Sequence, residues 1–276
     1  RAVRFDVDTG ASAERTGAQM GEPAMVEQRW QRAVITVASA GIGEAYARAL
    51  AGQCASLSLV ARRGDRLAAL AGELDPQCAV DVVCADLQSV PGIAAVVEHI
   101  RQRGPVDLLV NNAGFSTLGP FRGSDLDSEL AMVRLHQDAP LALTRAALPA
   151  MIEAGHGAVI NVSSLAAYAT LPGVATYAGT KAFLANFSLA LQAEVAASGV
   201  RVQCLCPGYT RTEIHSRESF AGFDASRIPD ALWMESDEVV AASLDALATA
   251  QVLVVPGEQN RKLAREALES IINALG

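Results

Sequence analysis

The amino-acid sequence predicts an α/β protein built on one doubly wound parallel β-sheet, with helices on both faces. Two observations carry this expectation. Short apolar runs typical of buried strands alternate along the chain with longer helical segments. A glycine-containing turn at residues 39–43 joins the first apolar run to the first helix. Of the 276 residues, 51% are hydrophobic and 19% are charged, so enough apolar material is present for a sizeable core.

The predicted sheet has about seven strands, each a short apolar run. In chain order these runs are residues 33–38, 56–61, 79–84, 106–111, 157–163, 201–206 and 251–255. The helices between and after them are predicted at residues 44–52, 65–74, 93–103, 124–154, 174–198, 237–250 and 260–275. Residues 207–236 are rich in loop signals, and we expect them to form a lid over a substrate. With no internal repeat or low-complexity linker, residues 32–276 are expected to form a single domain.

Residues 1–31 differ in composition from the rest of the chain, because they are polar with scattered glycine and alanine. We expect them to be a leader, an expression remnant or a flexible arm, with Met25 as a candidate for the natural start. They lack the apolar central block of a signal peptide.

Charge and cysteine content narrow the classes of protein to which the chain could belong. A net charge of −8 argues against nucleic acid as the main partner. No run of eighteen apolar residues is present, so no membrane span is predicted. The five cysteines lack metal-site spacing. Cys204 and Cys206 lie in an apolar run typical of a buried strand, so we expect buried free thiols there rather than metal ligands or a disulfide. We expect no metal site and a reducing, cytoplasmic location.

The first turn has the ingredients of a phosphate-binding βα unit, the opening unit of a Rossmann-like fold. Gly41 and Gly43 follow the first strand and precede the first helix. Missing side chains let backbone N–H groups approach a pyrophosphate, and the helix N-terminus adds partial positive charge. The second strand ends in Arg62 and Arg63, where arginines suit a 2′-phosphate and an acid would instead bind a ribose hydroxyl. Alternatively, these two arginines merely open a solvated helix.

A second group of residues indicates proton transfer. Tyr177 and Lys181 are four residues apart and would share one helix face, and Ser164 ends the preceding strand. A free tyrosine has a pKa of about 10, and a nearby ammonium lowers that pKa. The phenol could then exchange a proton with a carbonyl or alcohol oxygen that the serine hydroxyl holds. Spacing alone leaves open a Tyr-Lys pair on a solvated helix with a serine in a turn.

In their order and spacing, these motifs resemble those of the short-chain dehydrogenase/reductase superfamily, in particular its NADP-preferring single-domain members. The resemblance covers residues 33–257. The family's catalytic serine, tyrosine and lysine correspond to Ser164, Tyr177 and Lys181. The positions that the resemblance implies for binding NADP are Thr36, Ser39, Ala40, Gly41, Ile42, Gly43, Arg62, Arg63, Asp86, Leu87, Asn112, Ala113, Gly114, Tyr177, Lys181, Pro207, Gly208 and Thr212.

The resemblance implies an oxidoreductase that transfers a hydride between NADP(H) and a carbonyl or secondary-alcohol substrate. Tyr177 would be the general acid/base, Lys181 would lower its pKa and bind the nicotinamide ribose, and Ser164 would hold the substrate oxygen. Arg62 is expected to make the dominant contact to the 2′-phosphate, because Asp65 lies close enough to compete for one arginine. The resemblance also implies a homodimer or homotetramer, formed through the helices after the fourth and fifth strands.

Two residues depart from the family's pattern. Val37 stands where the cofactor turn usually has its first glycine, and a β-branched residue tolerates positive φ poorly. The turn is therefore expected to be reshaped, or cofactor binding to be weakened. His136 aligns with an asparagine whose backbone kink helps to hold a proton-relay water in the family. Its imidazole could bind a water instead, or the residue could be a helix-surface histidine without a role.

Two further functions stay open on the sequence. The first is an NADP-binding scaffold or regulator with little turnover, which Val37 and His136 favour and the intact Ser-Tyr-Lys set disfavours. The second is a sugar-nucleotide epimerase, which the Gly-x-Gly spacing of Gly41 and Gly43 disfavours.

The substrate is expected to be apolar, on account of apolar residues in and around the lid. The residues that could line its pocket are Phe115, Tyr168, Tyr209, Ile214, Phe220, Phe223, Ile228, Leu232, Trp233 and Met234. Alternatively, they pack the lid onto the domain.

Overall fold

The fold is given by a computed structural model that describes residues 30–213, 220 and 223–274. The proposed arm lies outside this part up to residue 29, as does Ile214. The strands β1–β9 are Trp30–Thr36, Cys54–Ala61, Ala79–Cys84, Leu108–Asn111, Gly157–Val162, Val200–Leu205, Tyr209–Thr210, Trp233–Met234 and Leu253–Val254. The helices α1–α8 are Gly41–Ala51, Gly64–Leu74, Val90–Gln102, Leu126–Val133, Ala139–Ala154, Ala175–Glu194, Ser236–Ala246 and Glu258–Asn273.

Seven of these strands form one parallel sheet, in the order β3-β2-β1-β4-β5-β6-β9. The predicted Rossmann-like, doubly wound α/β fold is therefore confirmed. The order reverses between β1 and β4, where Ala33 lies opposite Leu108 and Ile35 opposite Val110. In sheets of this kind the carboxyl ends of the strands at the reversal point form the binding crevice.

Two hydrophobic cores lie on opposite faces of the sheet. On one face α1, α2 and α7 bury side chains such as Tyr46, Leu67 and Val239. On the other face α3, α5 and α6 bury side chains such as Val96 and Leu143. The central strands β4 and β5 are buried at every residue, which explains why they are continuous apolar runs rather than alternating ones, whereas the edge strand β3 is partly exposed.

Local sequence signals fix where several helices begin and end. The Ser89 hydroxyl accepts a hydrogen bond from the backbone N–H of Gly92 at 3.1 Å, and Pro91 follows in the first turn of α3. Helix α5 ends at Ala154, and Gly155 follows it with a φ of 65°, the left-handed conformation that glycine adopts without strain.

The segment predicted as one helix over residues 124–154 is three pieces in the structure. Helix α4 ends at Val133, a π-helical turn spans Arg134–Asp138, and α5 begins at Ala139. Pro140 lies in the first turn of α5 and has no N–H for the carbonyl four residues before it. The hydrogen-bond register of the helix has to change there, and the π-helical turn is that change.

Element boundaries differ from expectation elsewhere by a few residues. Strand β1 begins at Trp30, which lies opposite Cys54, so the fold starts inside the stretch expected to be an arm. Within the predicted lid, the short strands β7 and β8 pair in parallel and form a separate two-stranded sheet. In the part of the chain that the structure describes, no helix is both long enough and apolar enough to cross a membrane.

Candidate active site

A cavity of about 770 Å³ opens at the carboxyl ends of the central strands, beside the reversal point of the sheet. Its floor includes Ser164 and Lys181, and the cofactor turn forms one wall. The predicted site residues that line it are Ala40, Gly41, Ile42, Asn112, Gly114, Ser164, Tyr177, Lys181, Pro207, Gly208 and Thr212. The structure therefore brings the three candidate catalytic residues and part of the predicted cofactor residues to one cavity.

The end of β5 and the start of α6 position the three candidate catalytic side chains. Ser164 leaves β5 in extended conformation, and its hydroxyl accepts a hydrogen bond from the Ala166 N–H at 3.1 Å. Tyr177 lies in the first turn of α6, and Lys181 follows one turn later on the same face. The Ser164 and Tyr177 hydroxyls are close enough to form a hydrogen bond.

Lys181 is held by the backbone of β5. Only 4% of the residue is exposed, and its ammonium donates to the carbonyl oxygen of Val162 at 2.8 Å. The Lys181 carbonyl oxygen in turn accepts from the Ser163 hydroxyl at 2.7 Å. Burial disfavours the charged form of the amine and lowers the pKa of Lys181 to about 8.

The expected net lowering of the Tyr177 pKa is not what this geometry produces. The Lys181 ammonium is 5.7 Å from the centre of the Tyr177 ring. Although Tyr177 keeps part of its surface open to the cavity, the phenol is densely surrounded. Burial therefore raises its pKa, and the hydrogen bond with Ser164 offsets only part of the rise.

His136 is fully buried in the π-helical turn, so it is not a surface histidine. Its Nδ1 is 2.8 Å from the Thr180 hydroxyl, and its Nε2 accepts from the Phe115 backbone N–H at 3.2 Å. The Thr180 hydroxyl donates to the Tyr177 carbonyl oxygen, so it has to accept from a protonated Nδ1.

Burial, with a smaller contribution from Lys181, holds the pKa of His136 well below its usual range, so the ring is neutral. Both ring nitrogens are bonded to protein atoms, which leaves neither for a relay water. The ring instead joins the loop after β4 to α6, and it lies edge-on to Tyr177 at a centroid distance of 5.8 Å.

The cofactor turn keeps its tight shape despite Val37. The φ of Val37 is +52°, and it is the one non-glycine residue with positive φ in the described part of the chain. Gly43 shows why the turn stays tight, because a Cβ there would clash with the Val37 carbonyl and the Asn112 side chain. Positive φ in a β-branched residue is strained by about 1–2 kcal/mol.

The turn and its helix fit a dinucleotide phosphate. No side chain caps the start of α1, so first-turn N–H groups are open to the cavity that Gly41 and Ile42 line. A Cβ at Gly41 would come within 2.9 Å of the Thr212 methyl, so the backbone is bare where the lid approaches.

A second, smaller cavity of about 210 Å³ lies on the other side of Val37, toward the ends of β2 and β3. Its lining includes the predicted adenosine-side residues Ser39, Arg62, Arg63, Asp86 and Leu87. Val37 lines both cavities, so the turn separates the predicted adenosine-side residues from the candidate catalytic residues.

Three predicted cofactor residues, Thr36, Gly43 and Ala113, lie behind the residues that line the two cavities. The Thr36 hydroxyl accepts from the backbone N–H groups of Asn112 and Ala113, at 2.8 Å and 3.0 Å. Gly43 packs under the turn. These contacts tie the end of β1 to the loop after β4.

Some of the apolar lid residues line the pocket and others do not, and these were the two alternatives that the sequence left open. Tyr209, Phe220 and Phe223 line the large cavity. Trp233 packs against Tyr209 at 5.4 Å between ring centroids, so it braces the lid. Ile228, Leu232 and Met234 are not among the residues that line the cavity either.

The expectation that Tyr168 and Phe115 line the substrate pocket is wrong. The Tyr168 side chain is buried, and its hydroxyl lies 3.3 Å from the Cys206 sulfur, which places it in the core. Phe115 lines the smaller, adenosine-side cavity instead.

Sequence reasoning missed the contribution of α8 to the site. Asn260, Leu263 and Ala267 line the large cavity from one face of this helix. Their spacing of three and four residues was the available signal. Asn260 is 2% exposed and packs so closely on Gly208 that a side chain at position 208 would clash with it.

Sequence reasoning also missed Glu213, which is the partner of Arg63. Their ion pair measures 2.9 Å, whereas Asp65, the expected competitor, is not among the ion pairs of the described chain. In the part of the chain that the structure describes, no group of three or more His, Cys, Asp or Glu side chains has an arrangement that could hold a metal ion.

Known proteins share both the sequence and this architecture. A protein-family model described as short chain dehydrogenase matches residues 31–220. A short chain dehydrogenase of Pseudocercospora fijiensis is 37% identical over 202 residues, which are 70% of this chain and 65% of the relative. The chain thus spans slightly less than two thirds of that relative's length.

Two solved structures are similar over most of both chains. A short-chain dehydrogenase from Sphingobium yanoikuyae in complex with NADPH is 34% identical, with a TM-score of 0.78 over 89% of this chain and 94% of that one. A bulky-bulky ketone specific alcohol dehydrogenase from Comamonas testosteroni is 28% identical, with a TM-score of 0.73 over 88% and 94%. With the matching family model and the sheet order, these likenesses show that the chain belongs to the short-chain dehydrogenase/reductase family.

Proposed function

We propose that this protein is an NADP-dependent oxidoreductase that reduces a bulky, apolar carbonyl compound or oxidises the matching secondary alcohol. The observation that carries the proposal is the convergence of Ser164, Tyr177 and Lys181 on a cavity walled by the glycine turn. NADPH would supply the hydride, and this chain would supply orientation and the proton.

The roles proposed for the three side chains are consistent with their positions. The Tyr177 hydroxyl donates its proton to the substrate's carbonyl oxygen, and the Ser164 hydroxyl donates a hydrogen bond to the same oxygen as charge develops there. Lys181 keeps a positive charge below this pair at neutral pH, since the pKa of about 8 leaves most of the amine protonated. That charge favours the phenolate left behind when Tyr177 gives up its proton.

The cavity favours an apolar substrate with two sizeable groups on the carbonyl carbon. Leu118, Leu171 and Leu263 line it and are each 38–47% exposed, so apolar surface is open at its mouth. Phe220 and Phe223 of the lid also line this cavity. The likeness to a dehydrogenase specific for bulky-bulky ketones supports the same substrate class.

The choice of NADP over NAD rests on charge at the adenosine end. Arg62 and Arg63 line the smaller cavity, and the strand before them ends in Ala61 rather than in an acid. The likeness to an NADPH complex supports this choice. One bidentate arginine contact is worth about 1.5–3 kcal/mol, or roughly a ten- to hundredfold preference.

The alternative is a cofactor-binding scaffold with little turnover, which the strained Val37 favours. A single assay separates the two functions: NADPH consumption with a panel of aryl, alicyclic and long-chain ketones and aldehydes. We expect turnover with the bulky ketones and less with small aldehydes. NADPH binding without consumption of any of them would favour the scaffold instead.

We also propose a homo-oligomer in the cytoplasm. Leu126, Leu130 and Leu189 leave 43–63% of their surface exposed on α4 and α6, which suits a subunit interface. All five cysteines are free, as expected in a reducing compartment. Light scattering at micromolar concentration should give a particle of two or four chains, and a monomer would contradict the assembly.

A further inference from the structure

One carboxylate joins the lid to the adenosine end of the site. Glu213 Oε2 lies 2.9 Å from Arg63 Nη1, and Oε1 lies 2.5 Å from Arg66 Nη1. Glu213 belongs to the lid segment that follows Thr212, whereas both arginines lie at the start of α2. The link therefore spans residues that are far apart in sequence.

Arg63 holds the cofactor turn with the rest of its guanidinium. Its Nε and Nη2 both donate to the Ser39 hydroxyl at 3.3 Å, and Nη2 also donates to the Ser39 carbonyl at 3.2 Å. Ser39, Arg62 and Arg63 all line the smaller cavity. Glu213 thus takes the Nη1 edge of a guanidinium that borders the place expected for a 2′-phosphate.

A carboxylate and a phosphate compete for the same guanidinium geometry, because both accept two parallel N–H bonds. The two arginines hold the pKa of Glu213 below its usual range, so the carboxylate is ionised at neutral pH. A 2′-phosphate arriving here meets an arginine that is already neutralised and a negative charge beside it.

We propose that Glu213 is a cofactor-selectivity residue that competes with the 2′-phosphate for Arg63 and Arg66. The inference rests on the NADP dependence proposed above. Its consequence is a coupling: NADPH displaces the carboxylate and frees the lid at residue 213, whereas NADH leaves the ion pairs in place. Because binding couplings are reciprocal, the ion pairs reduce the preference for NADPH by the same factor.

The experiment titrates NADPH and NADH into the protein and follows intrinsic fluorescence. The comparison is wild type against Glu213→Gln, with Asp230→Asn as the matched control. Asp230 is also a lid carboxylate paired with an arginine, but its partner is Arg211, away from α2. We expect the ratio of the NADH to the NADPH dissociation constant to rise about three- to tenfold in Glu213→Gln and to stay unchanged in Asp230→Asn.

Two further arms isolate the 2′-phosphate. Adenosine 2′,5′-bisphosphate should bind more tightly to Glu213→Gln than to wild type, while adenosine 5′-monophosphate should bind both equally. Arg66→Gln should lower the preference for NADPH, because Glu213 then pairs with Arg63 alone.

The outcomes separate this inference from the proposed function. If wild type prefers NADPH and Glu213→Gln leaves the ratio unchanged, the inference is overturned and the NADP dependence stands. An equal rise in the dissociation constants of NADPH and NADH in Glu213→Gln would also overturn it, since the carboxylate would then favour binding of either cofactor. If wild type shows no preference and Arg62→Ala/Arg63→Ala changes nothing, the NADP dependence itself fails.

Discussion

The catalytic centre and the lid are held in place by different kinds of interaction. At the centre, Lys181, Thr180 and His136 are buried and hydrogen-bonded to protein atoms. In the lid, Arg211 pairs with Asp230 at 3.2 Å, and those two side chains are 50% and 97% exposed. Buried hydrogen bonds hold a fixed geometry, whereas exposed ion pairs contribute about 0–1 kcal/mol and are screened by salt. The difference indicates that the reacting centre is held more firmly than the ion-paired surface of the lid.

The largest effect is expected at the centre, from Tyr177→Phe. The change keeps the ring that packs edge-on to His136 and removes the proton. We expect kcat to fall by roughly two to four decades, the usual contribution of a positioned acid/base. Steady-state rates and the unfolding midpoint should be measured together. Activity near that of wild type in a folded variant would contradict the assignment.

The burial of the Lys181 amine can be tested by measuring the free energy of unfolding as a function of pH. Its folded pKa of about 8 lies below the usual 10.5, so between these values the unfolded chain binds more protons. The free energy of unfolding should therefore rise with pH across that window, by about 3 kcal/mol in total, relative to Lys181→Met. Lys262→Met is the matched control, since the Lys262 side chain is 72% exposed. A pH-independent difference between wild type and Lys181→Met would show that the amine is not desolvated.

Variants of His136 test which of its two bonds positions the centre. Asn can replace the Nδ1–H donor to Thr180, Gln can replace the Nε2 acceptor for Phe115, and Leu replaces neither. We expect His136→Leu to lose about 2–4 kcal/mol of stability and to lower kcat, because the Phe115 N–H loses this acceptor and the Thr180 hydroxyl loses this donor. The Asn and Gln variants should each recover part of the loss.

The pH profile of kcat distinguishes positioning from stability alone. It should shift in His136→Leu, since the ring packs against Tyr177. His156→Gln is the control, as that imidazole stacks on Trp30 away from the site. If folded His136→Leu kept the pH profile and kcat of wild type, His136 would contribute to stability alone and would not position Tyr177.

The smallest effect is expected at the cofactor turn, from Val37→Gly. Relief of the positive φ should stabilise the protein by about 1 kcal/mol, less what is lost when the valine side chain is removed. NADPH and NADH should both bind more tightly, with their ratio unchanged, because the strain lies in the turn that would hold the pyrophosphate common to both cofactors. Val37→Ala is the control, since it shortens the side chain and retains the strain. A change in the ratio alone would contradict this account.

The sequence was sufficient where the signal is local. Apolar runs that alternate with helical segments predicted the sheet, and the spacing of Tyr177 and Lys181 predicted a shared helix face. Both signals depend on near neighbours in the chain. The ion pair of Glu213 with Arg63 joins residues 150 positions apart, and no local pattern encodes such a contact. The π-helical turn was missed although Pro140 marked the change of hydrogen-bond register.

Electrostatics were the least predictable part of the site. A nearby lysine was expected to lower the Tyr177 pKa, but the outcome depends on burial and on where the ammonium points. In the structure that ammonium donates to Val162, and burial dominates. Only the packed environment determines which of these effects is larger.

The reversal of strand order also shapes how the chain folds. Strand β1 pairs with β2 after a short crossover, but its pairing of Ala33 with Leu108 closes a loop of 75 residues. Closing a loop costs more free energy as its length grows, by roughly 0.6 kcal/mol per doubling. The pairing of β1 with β4, here called the β1-β4 seam, is therefore expected to form after the local βαβ units. The reacting groups after β5 and the cofactor turn after β1 lie on opposite sides of that seam. The two half-sites are therefore expected to meet late in folding, and a chain in which β1 and β4 are not yet paired would lack the complete site.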